Sequence, residues 1–330
     1  MIKAFFRLIR FPNLVIIIAT QCLMRYGLLE ALLRHMPGEW NGRPVVVPGL
    51  HLVLTDFQFL LLVFSTVMLT AAGYVINDYF DTRTDSINRP ERMVIDKEIS
   101  RRKALVIHIL LNVLGVGAGV YLSVSIGFSF LGIIFFLIAG LLWFYSTTYK
   151  RQFLIGNLLV AFLTALVPFT VTLFEIPMLN REFSAQMIFY HATWRPLVLW
   201  SAAISVFAFM LTLIREIIKD MEDYEGDYSF GRRSLPVVLG LDATRYIVLA
   251  LILTTLGLIL WVVLGYLRDT ITLIYSGVML VIPLLWLSLG TWRARSPKEY
   301  HRCSLLTKWI MLAGLLYILV ADYIFSTLFI

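Results

Sequence analysis

Charge is scarce in this sequence, and so are the side chains that make disulfides and soft-metal sites. Of 330 residues only 15% are Asp, Glu, Lys or Arg, against 59% hydrophobic, and the mean hydropathy is +0.83. A soluble domain of this balance would expose too much apolar surface, so the bilayer is its natural solvent. Cys22 and Cys303 are the only cysteines and lie in separate apolar segments. Without a CxxC pair or a Cys/His cluster, neither a disulfide framework nor a zinc site is indicated. His35, His51, His108, His191 and His301 are equally scattered, and His108 reads as a packed helix residue. The net charge is +7, yet no basic run interleaves with aromatics, which sets nucleic acid aside as a partner. Nothing points to an obligatory protein partner either. The opening "MIKAFFRLIRFPN" has no small-residue cleavage site after its apolar run, so it reads as a retained first helix.

What is present is a series of long apolar runs. A window of about 20 residues predicts nine spans, at 13–33, 57–77, 104–124, 127–146, 153–174, 196–217, 244–266, 272–291 and 305–328. The expected fold class is therefore all-α integral membrane, a single domain over 1–330. With the N-terminus in the cytoplasm, 22 of the 28 Lys and Arg fall on cytoplasmic segments and five on the other side. The positive-inside rule then puts the C-terminus outside and the loops after spans two, four and six in the cytoplasm. The surrounding bilayer is expected to be the cell (plasma) membrane. Asp81 and Asp223 each end the second helix of a four-helix group, which suggests an old duplication. Its halves would be roughly 1–150 and 151–300, with the helix 305–328 added.

Acidic residues concentrate where two of those spans end. If the second helix continues through "NDYFDTRTD", Asn77, Asp78, Asp81 and Asp85 fall within about 100° of one face. In "REIIKDMEDYEGD", Glu216, Asp220, Asp223 and Asp227 follow helical spacing as well. Like charges at this spacing repel, and carboxylates at a helix C-terminus oppose the macrodipole. Two such stripes on one membrane side predict a bound cation. Mg²⁺ suits them, because it takes oxygen ligands and shares them with substrate phosphates. The bland alternative is solvated loop charge that fixes topology. Basic and polar residues stand nearby: Arg10 and Asn13 in "RFPN", Arg89 and Arg92 in "NRPER", Tyr145, Lys150 and Arg151 in "YSTTYKR", Arg232 and Arg233 in "GRRS". Together they could neutralise a diphosphate.

These residues resemble the UbiA-type intramembrane prenyltransferases. The family's N-D-x-x-D-x-x-x-D matches Asn77, Asp78, Asp81 and Asp85, and its D-x-x-x-D matches Asp223 and Asp227. Tyr145 and Lys150 stand where the family has a Tyr and Lys pair, and Arg10 and Asn13 match its N-terminal R-x-x-N. The resemblance covers essentially the whole chain and implies a helical bundle around a central cavity. It implies a transferase of isoprenoid lipid biosynthesis that moves a prenyl group from a polyprenyl diphosphate to a lipophilic acceptor with Mg²⁺. The second motif looks most like the branch that prenylates geranylgeranylglyceryl phosphate. An aromatic acceptor of the hydroxybenzoate or naphthoate type is the alternative. One departure is "MVIDK", Met93 to Lys97, where the family usually has a proline-containing, glycine-ended turn.

The resemblance implies roles as follows. Asn77, Asp78, Asp81 and Asp85 would hold one Mg²⁺, and Asp223 and Asp227 a second. Arg10, Asn13, Arg92, Tyr145, Lys150, Arg151 and Arg232 would bind the diphosphate. Asp81, Asp223 and Lys150 would act in catalysis, with Asp220 taking the acceptor's proton. Arg25 in span one and Asp322 in span nine are expected to form a structural ion pair, since an isolated intramembrane charge costs about 2.5–3.5 kcal/mol. An ion-coupled transporter is the outside alternative, but it would carry its carboxylates at mid-helix. A CDP-alcohol phosphotransferase would need a D-G-x-x-A-R run, which is absent.

Overall fold

The computed structural model describes the backbone of residues 2–88 and 93–328, with side chains for 2–82 and 93–327. After a short helix α1 (Ile2–Leu8), nine helices among the described residues are long and apolar enough to cross a membrane. They begin with α2 (Phe11–Arg34), α3 (Asp56–Asn88), α4 (Arg101–Ser125) and α5 (Ser129–Thr147). Next come α6 (Ile155–Phe189), α7 (Arg195–Glu222) and two short pieces, α8 (Tyr224–Ser229) and α9 (Leu235–Leu239). The last three are α10 (Leu241–Leu267), α11 (Thr270–Arg293) and α12 (Pro297–Leu328). The chain is a multi-pass membrane protein, as its composition requires.

Local chemistry explains where several of these helices start. Before α3, Thr55 and Gln58 form a reciprocal capping box: the Thr55 amide donates to Gln58 Oε1 at 3.0 Å, and the Gln58 amide to Thr55 Oγ1 at 3.2 Å. Asp56 adds an acidic side chain to that first turn. Asp269 caps α11 by accepting from the Thr272 amide at 2.7 Å. Close helix packing depends on glycine, as is common where no hydrophobic effect drives helices together in lipid. At Gly119 on α4 a Cβ would run into the Phe135 ring of α5, and at Gly314 on α12 into the Phe207 ring of α7.

Two buried apolar clusters form the interior. The larger draws on α1 to α6 with Leu197 of α7 and Ile318 of α12, and the smaller on α6, α7 and α9 to α12. His108 is buried, its Nδ1 bonded to the Ala72 carbonyl at 2.9 Å and its ring beside Trp143.

Three features differ from the sequence expectation. The fifth span does not stop at 174: α6 runs on to Phe189 with Pro168 and Pro177 inside it. Hydropathy breaks at Glu175, but the helix does not, because a buried partner accepts that charge. Arg25 is that partner, so the expected pair with Asp322 gives way to another. Arg25 is 2% exposed and Glu175 is fully buried, with Nη1 to Oε2 at 3.1 Å. The Val53 and Leu54 amides donate to Glu175 Oε1 at 2.5 and 3.0 Å, and Arg25 also donates to the Leu54 carbonyl. Finally, the segment between α2 and α3 carries an antiparallel hairpin, β1 (Pro37–Trp40) and β2 (Arg43–Val46). The Glu39 amide of this hairpin donates to the Tyr190 carbonyl at the end of α6, at 2.7 Å.

Candidate active site

The ion pair around Arg25 sits at the start of α3, and the acidic motif sits at the other end of the same helix. α3 remains helical through Asn88, so Asn77, Asp78 and Asp81 do project from one helical segment. Asp85 and Arg92, and likewise Arg89, lie outside the residues whose side chains are described. The second stripe is built differently from the expectation. α7 ends at Glu222, and Asp223, at φ −93° and ψ 9°, joins it to α8. The helical spacing survives this break locally, because the Asp227 amide still donates to the Asp223 carbonyl at 3.0 Å.

Three segments from different parts of the chain meet at Asp81. Lys150, in the short turn after α5, places Nζ 2.8 Å from Asp81 Oδ1. The same ammonium donates to Asn77 Oδ1 at 3.3 Å. Arg232, after α8, places Nη2 2.8 Å from that same Asp81 oxygen, and its Nη1 lies 3.4 Å from Asp227 Oδ1. One guanidinium thus joins the first acidic motif to the second. Lys150 and Asp227 are both nearly buried here, with side chains 6% exposed. Burial holds the Asp227 carboxyl above the ordinary carboxylate range, against the pull of Arg232. Burial likewise lowers the Lys150 ammonium below a free lysine, although Asp81 opposes this.

The other candidates form a ring around this centre. Arg10 Nη2 donates to Asp78 Oδ1 at 2.8 Å, and its guanidinium stacks over Tyr74 at 4.9 Å. Among the described residues Asn13 meets no carboxylate; its Nδ2 donates to the Tyr74 hydroxyl at 3.3 Å. Tyr145 is half-buried among the charges of Glu216, Asp81, Asp220 and Arg10. Asp220 Oδ2 accepts from Asn157 Nδ2 at 2.7 Å. Arg151 and Arg233 meet through their backbones, the Arg233 amide donating to the Arg151 carbonyl at 3.2 Å, while both side chains are exposed. Glu216 is held by Arg215 and Lys219 at 2.6 and 2.8 Å. The "MVIDK" departure folds as a tight turn: Asp96 adopts φ 67° and its amide donates to the Ile99 carbonyl at 3.0 Å. An ion pair between Glu98 and Arg7 ties this turn to α1.

Sequence reasoning missed Tyr74 and Asn157 as supports of the site. Tyr74 precedes Asp78 by four residues, so its place on the acidic face could have been read from helical spacing. Asn157 is a lone amide at the start of an apolar helix, and nothing local says which carboxylate it meets.

The donors the two acidic motifs supply are oxygens: Asn77, Asp78, Asp81, Asp220, Asp223 and Asp227; among the described residues the one imidazole bonded next to them, His301, meets Glu222 at 3.1 Å. That chemistry fits a hard divalent cation such as Mg²⁺ rather than zinc or copper. Among the described residues, no three His, Cys, Asp or Glu side chains converge on one metal-sized point. Arg10 pairs with Asp78, Lys150 with Asp81, and Arg232 with Asp81 and Asp227.

A model of the UbiA prenyltransferase family matches residues 48–321. The digeranylgeranylglyceryl phosphate synthase of Methanothermobacter thermautotrophicus is 34% identical over 201 residues, 60% of this chain and 62% of that protein. The synthase of the same name from Sulfurisphaera tokodaii is 29% identical over 246 residues, 74% of this chain and 73% of that one. The match to the first relative therefore spans less than two thirds of its length. A solved structure concerned with digeranylgeranylglyceryl phosphate synthase in membranes superposes with a TM-score of 0.63 at 22% identity, covering 97% of this chain and 98% of that one. A UbiA homologue from Archaeoglobus fulgidus, bound to DMAPP and Mg²⁺, gives 0.56 at 17% identity, over 96% and 99% of the two chains. Likenesses at these identities establish the fold.

Proposed function

The chain belongs to the UbiA prenyltransferase family, and on that premise we propose that it transfers a prenyl group from a polyprenyl diphosphate to a lipophilic acceptor in an Mg²⁺-dependent reaction. The observation that carries this reading is Arg232, which brings Asp81 and Asp227, from two distant acidic motifs, to one site beside Lys150. Asn77, Asp78, Asp81 and Asp85 are the residues we assign to one Mg²⁺, and Asp223 and Asp227 to a second. When bound, the metal supplies Lewis-acid stabilisation of the negative charge on the departing diphosphate.

The chain's own residues do the rest. Lys150 and Arg232 turn from Asp81 to the diphosphate oxygens, where charge grows as the allylic C–O bond breaks and its electron pair leaves with the diphosphate. Arg10 and Tyr145 border the same pole. Arg92 and Arg151 are assigned to the diphosphate by sequence alone, as is Asn13, which supports Tyr74. The acceptor oxygen attacks the allylic carbon, and its proton passes to Asp220, which Asn157 orients. Surrounding helices exclude bulk water, which would otherwise capture the cationic carbon.

For the acceptor we infer geranylgeranylglyceryl phosphate, with geranylgeranyl diphosphate as donor, supported by the names of the curated relatives. We place the acidic pole on the cytoplasmic face of the cell membrane, with the N-terminus inside and the C-terminus outside, because Lys and Arg gather on that side. We assign the chain two halves of common origin, 1–150 and 151–300, from the placing of Asp81 and Asp223 at the end of the second helix of each. Purified protein incubated with Mg²⁺, geranylgeranyl diphosphate and a panel of acceptors, read by mass spectrometry, tests the assignment. A digeranylgeranyl ether is expected with the glyceryl phosphate acceptor. Product formed only with hydroxybenzoate or naphthoate would overturn the acceptor, and no prenylated product from any acceptor would overturn the activity. Replacing Asp81 or Asp223 with alanine is expected to lower turnover at least about a hundredfold, the scale of losing one charge-stabilising group, in protein that remains folded and membrane-inserted.

A further inference from the structure

Asp81 Oδ1 already accepts from two cations. A carboxylate offers about four lone-pair positions over two oxygens, and Lys150 and Arg232 both sit 2.8 Å from this one oxygen. Arg232 reaches further, to Asp227 Oδ1 at 3.4 Å, across 151 positions in sequence from Asp81. Its backbone is set for this, since Gly231 turns the chain at φ 64° and the Arg232 amide donates to the Asp227 carbonyl at 3.0 Å. The guanidinium therefore occupies the space between two residues assigned above to different metal ions. Free Mg²⁺ entering here would add a double charge beside two single ones, in a site where Lys150 is almost fully buried and screening is weak. A diphosphate brings the opposite charge and gives both cations new oxygen partners.

Building on that functional reading, we propose that Arg232 is a stand-in cation: it ties the two acidic motifs together before the ions arrive, so that Mg²⁺ and the diphosphate bind as a unit and Mg²⁺ alone binds poorly. Arg232 thus sets the order of binding, acting through Asp81 and Asp227. The two ligands are coupled because each relieves the repulsion the other would meet, and that coupling is reciprocal. Lys150 contributes to the same barrier but has no second arm to the Asp227 side, so the cross-motif part belongs to Arg232.

The test is calorimetric titration of the full-length protein in detergent with Mg²⁺ alone, and then with inorganic diphosphate present. It is run on the unmodified chain, Arg232→Gln and Arg232→Lys. In the unmodified chain, diphosphate is expected to tighten Mg²⁺ binding at least tenfold. Arg232→Gln should bind Mg²⁺ alone at least tenfold more tightly than the unmodified chain and lose most of the enhancement. Arg232→Lys, which keeps the charge without the two-armed fork, should fall between them and carries the comparison if the glutamine variant fails to fold. Equal Mg²⁺ affinity in all three proteins, with intact binding in the presence of diphosphate, would overturn the stand-in role and leave the prenyl-transfer reading standing. Failure of the unmodified chain to bind Mg²⁺ with diphosphate at all would overturn both.

Discussion

The carboxylate of Asp227 is buried, paired with one arm of Arg232 at 3.4 Å, and held above the ordinary carboxylate range by desolvation, against the pull of Arg232 and Ser234. A proton and a divalent cation compete for such a group. Because its pKa is raised, the proton wins at a higher pH than it would on an exposed aspartate. Mg²⁺ affinity is therefore expected to fall on acidification earlier than for a solvated carboxylate, and the acid limb of kcat/KM should move to lower pH as Mg²⁺ is raised. An acid limb that ignores Mg²⁺ concentration would show that Asp227 does not hold the metal. On the alkaline side, the lowered Lys150 pKa predicts loss of activity below the pH at which a free lysine discharges. The site's charged residues were legible in the sequence because charge in so apolar a chain stands out. Their partners were not: Asp220 meets Asn157, and Arg10 reaches Asp78 across 68 positions. Such pairings depend on how helices are rotated against one another, which local spacing does not encode.

At the level of helices, close approach is fixed by a few small residues. A Cβ at Gly119 would overlap the Phe135 ring, so Gly119→Val is expected to destabilise by about 1–3 kcal/mol through overpacking. Thermal unfolding in detergent should show the loss, and adding Phe135→Leu should restore part of it. An unchanged melting temperature for Gly119→Val would mean that α4 and α5 do not pack here as described. The nine apolar spans were readable because each is close to, or above, the roughly 20 residues needed to cross a bilayer's hydrocarbon core. The true length of α6 was not. Glu175 interrupts the hydropathy, and only its contact with Arg25 explains why the helix continues to Phe189. The break at Asp223 is equally silent, because its dihedrals lie near the helical region and no proline or glycine marks it.

Over the whole molecule, two polar poles cap an apolar middle. One holds the acidic motifs, and the other pins α2, α6 and the start of α3 through Arg25, Glu175 and the Val53–Leu54 backbone. Removing one partner of a buried ion pair typically costs about 3–5 kcal/mol. Glu175→Ala and Arg25→Ala should each destabilise on that scale, and the double variant should lose less than the sum. Additive losses in a double-mutant cycle would show that the two groups do not depend on each other. The sidedness follows separately: in a chain with Cys22 and Cys303 replaced by serine, a cysteine at Lys97 should react with a membrane-impermeant maleimide only from the cytoplasmic side, and one at Arg43 only from outside. The opposite pattern would invert the proposed orientation. The ion pair also has a consequence in time. Arg25 and Glu175 are 150 residues apart in the chain, and at about 5–20 residues per second of synthesis the first spanning helix waits roughly 8–30 s for its counter-charge to be made. During that interval the exposed carboxylate of Asp56, 3.8 Å from Arg25 in the folded chain, is the one of its two anionic partners already made, so the first helix enters the bilayer before its buried pair exists.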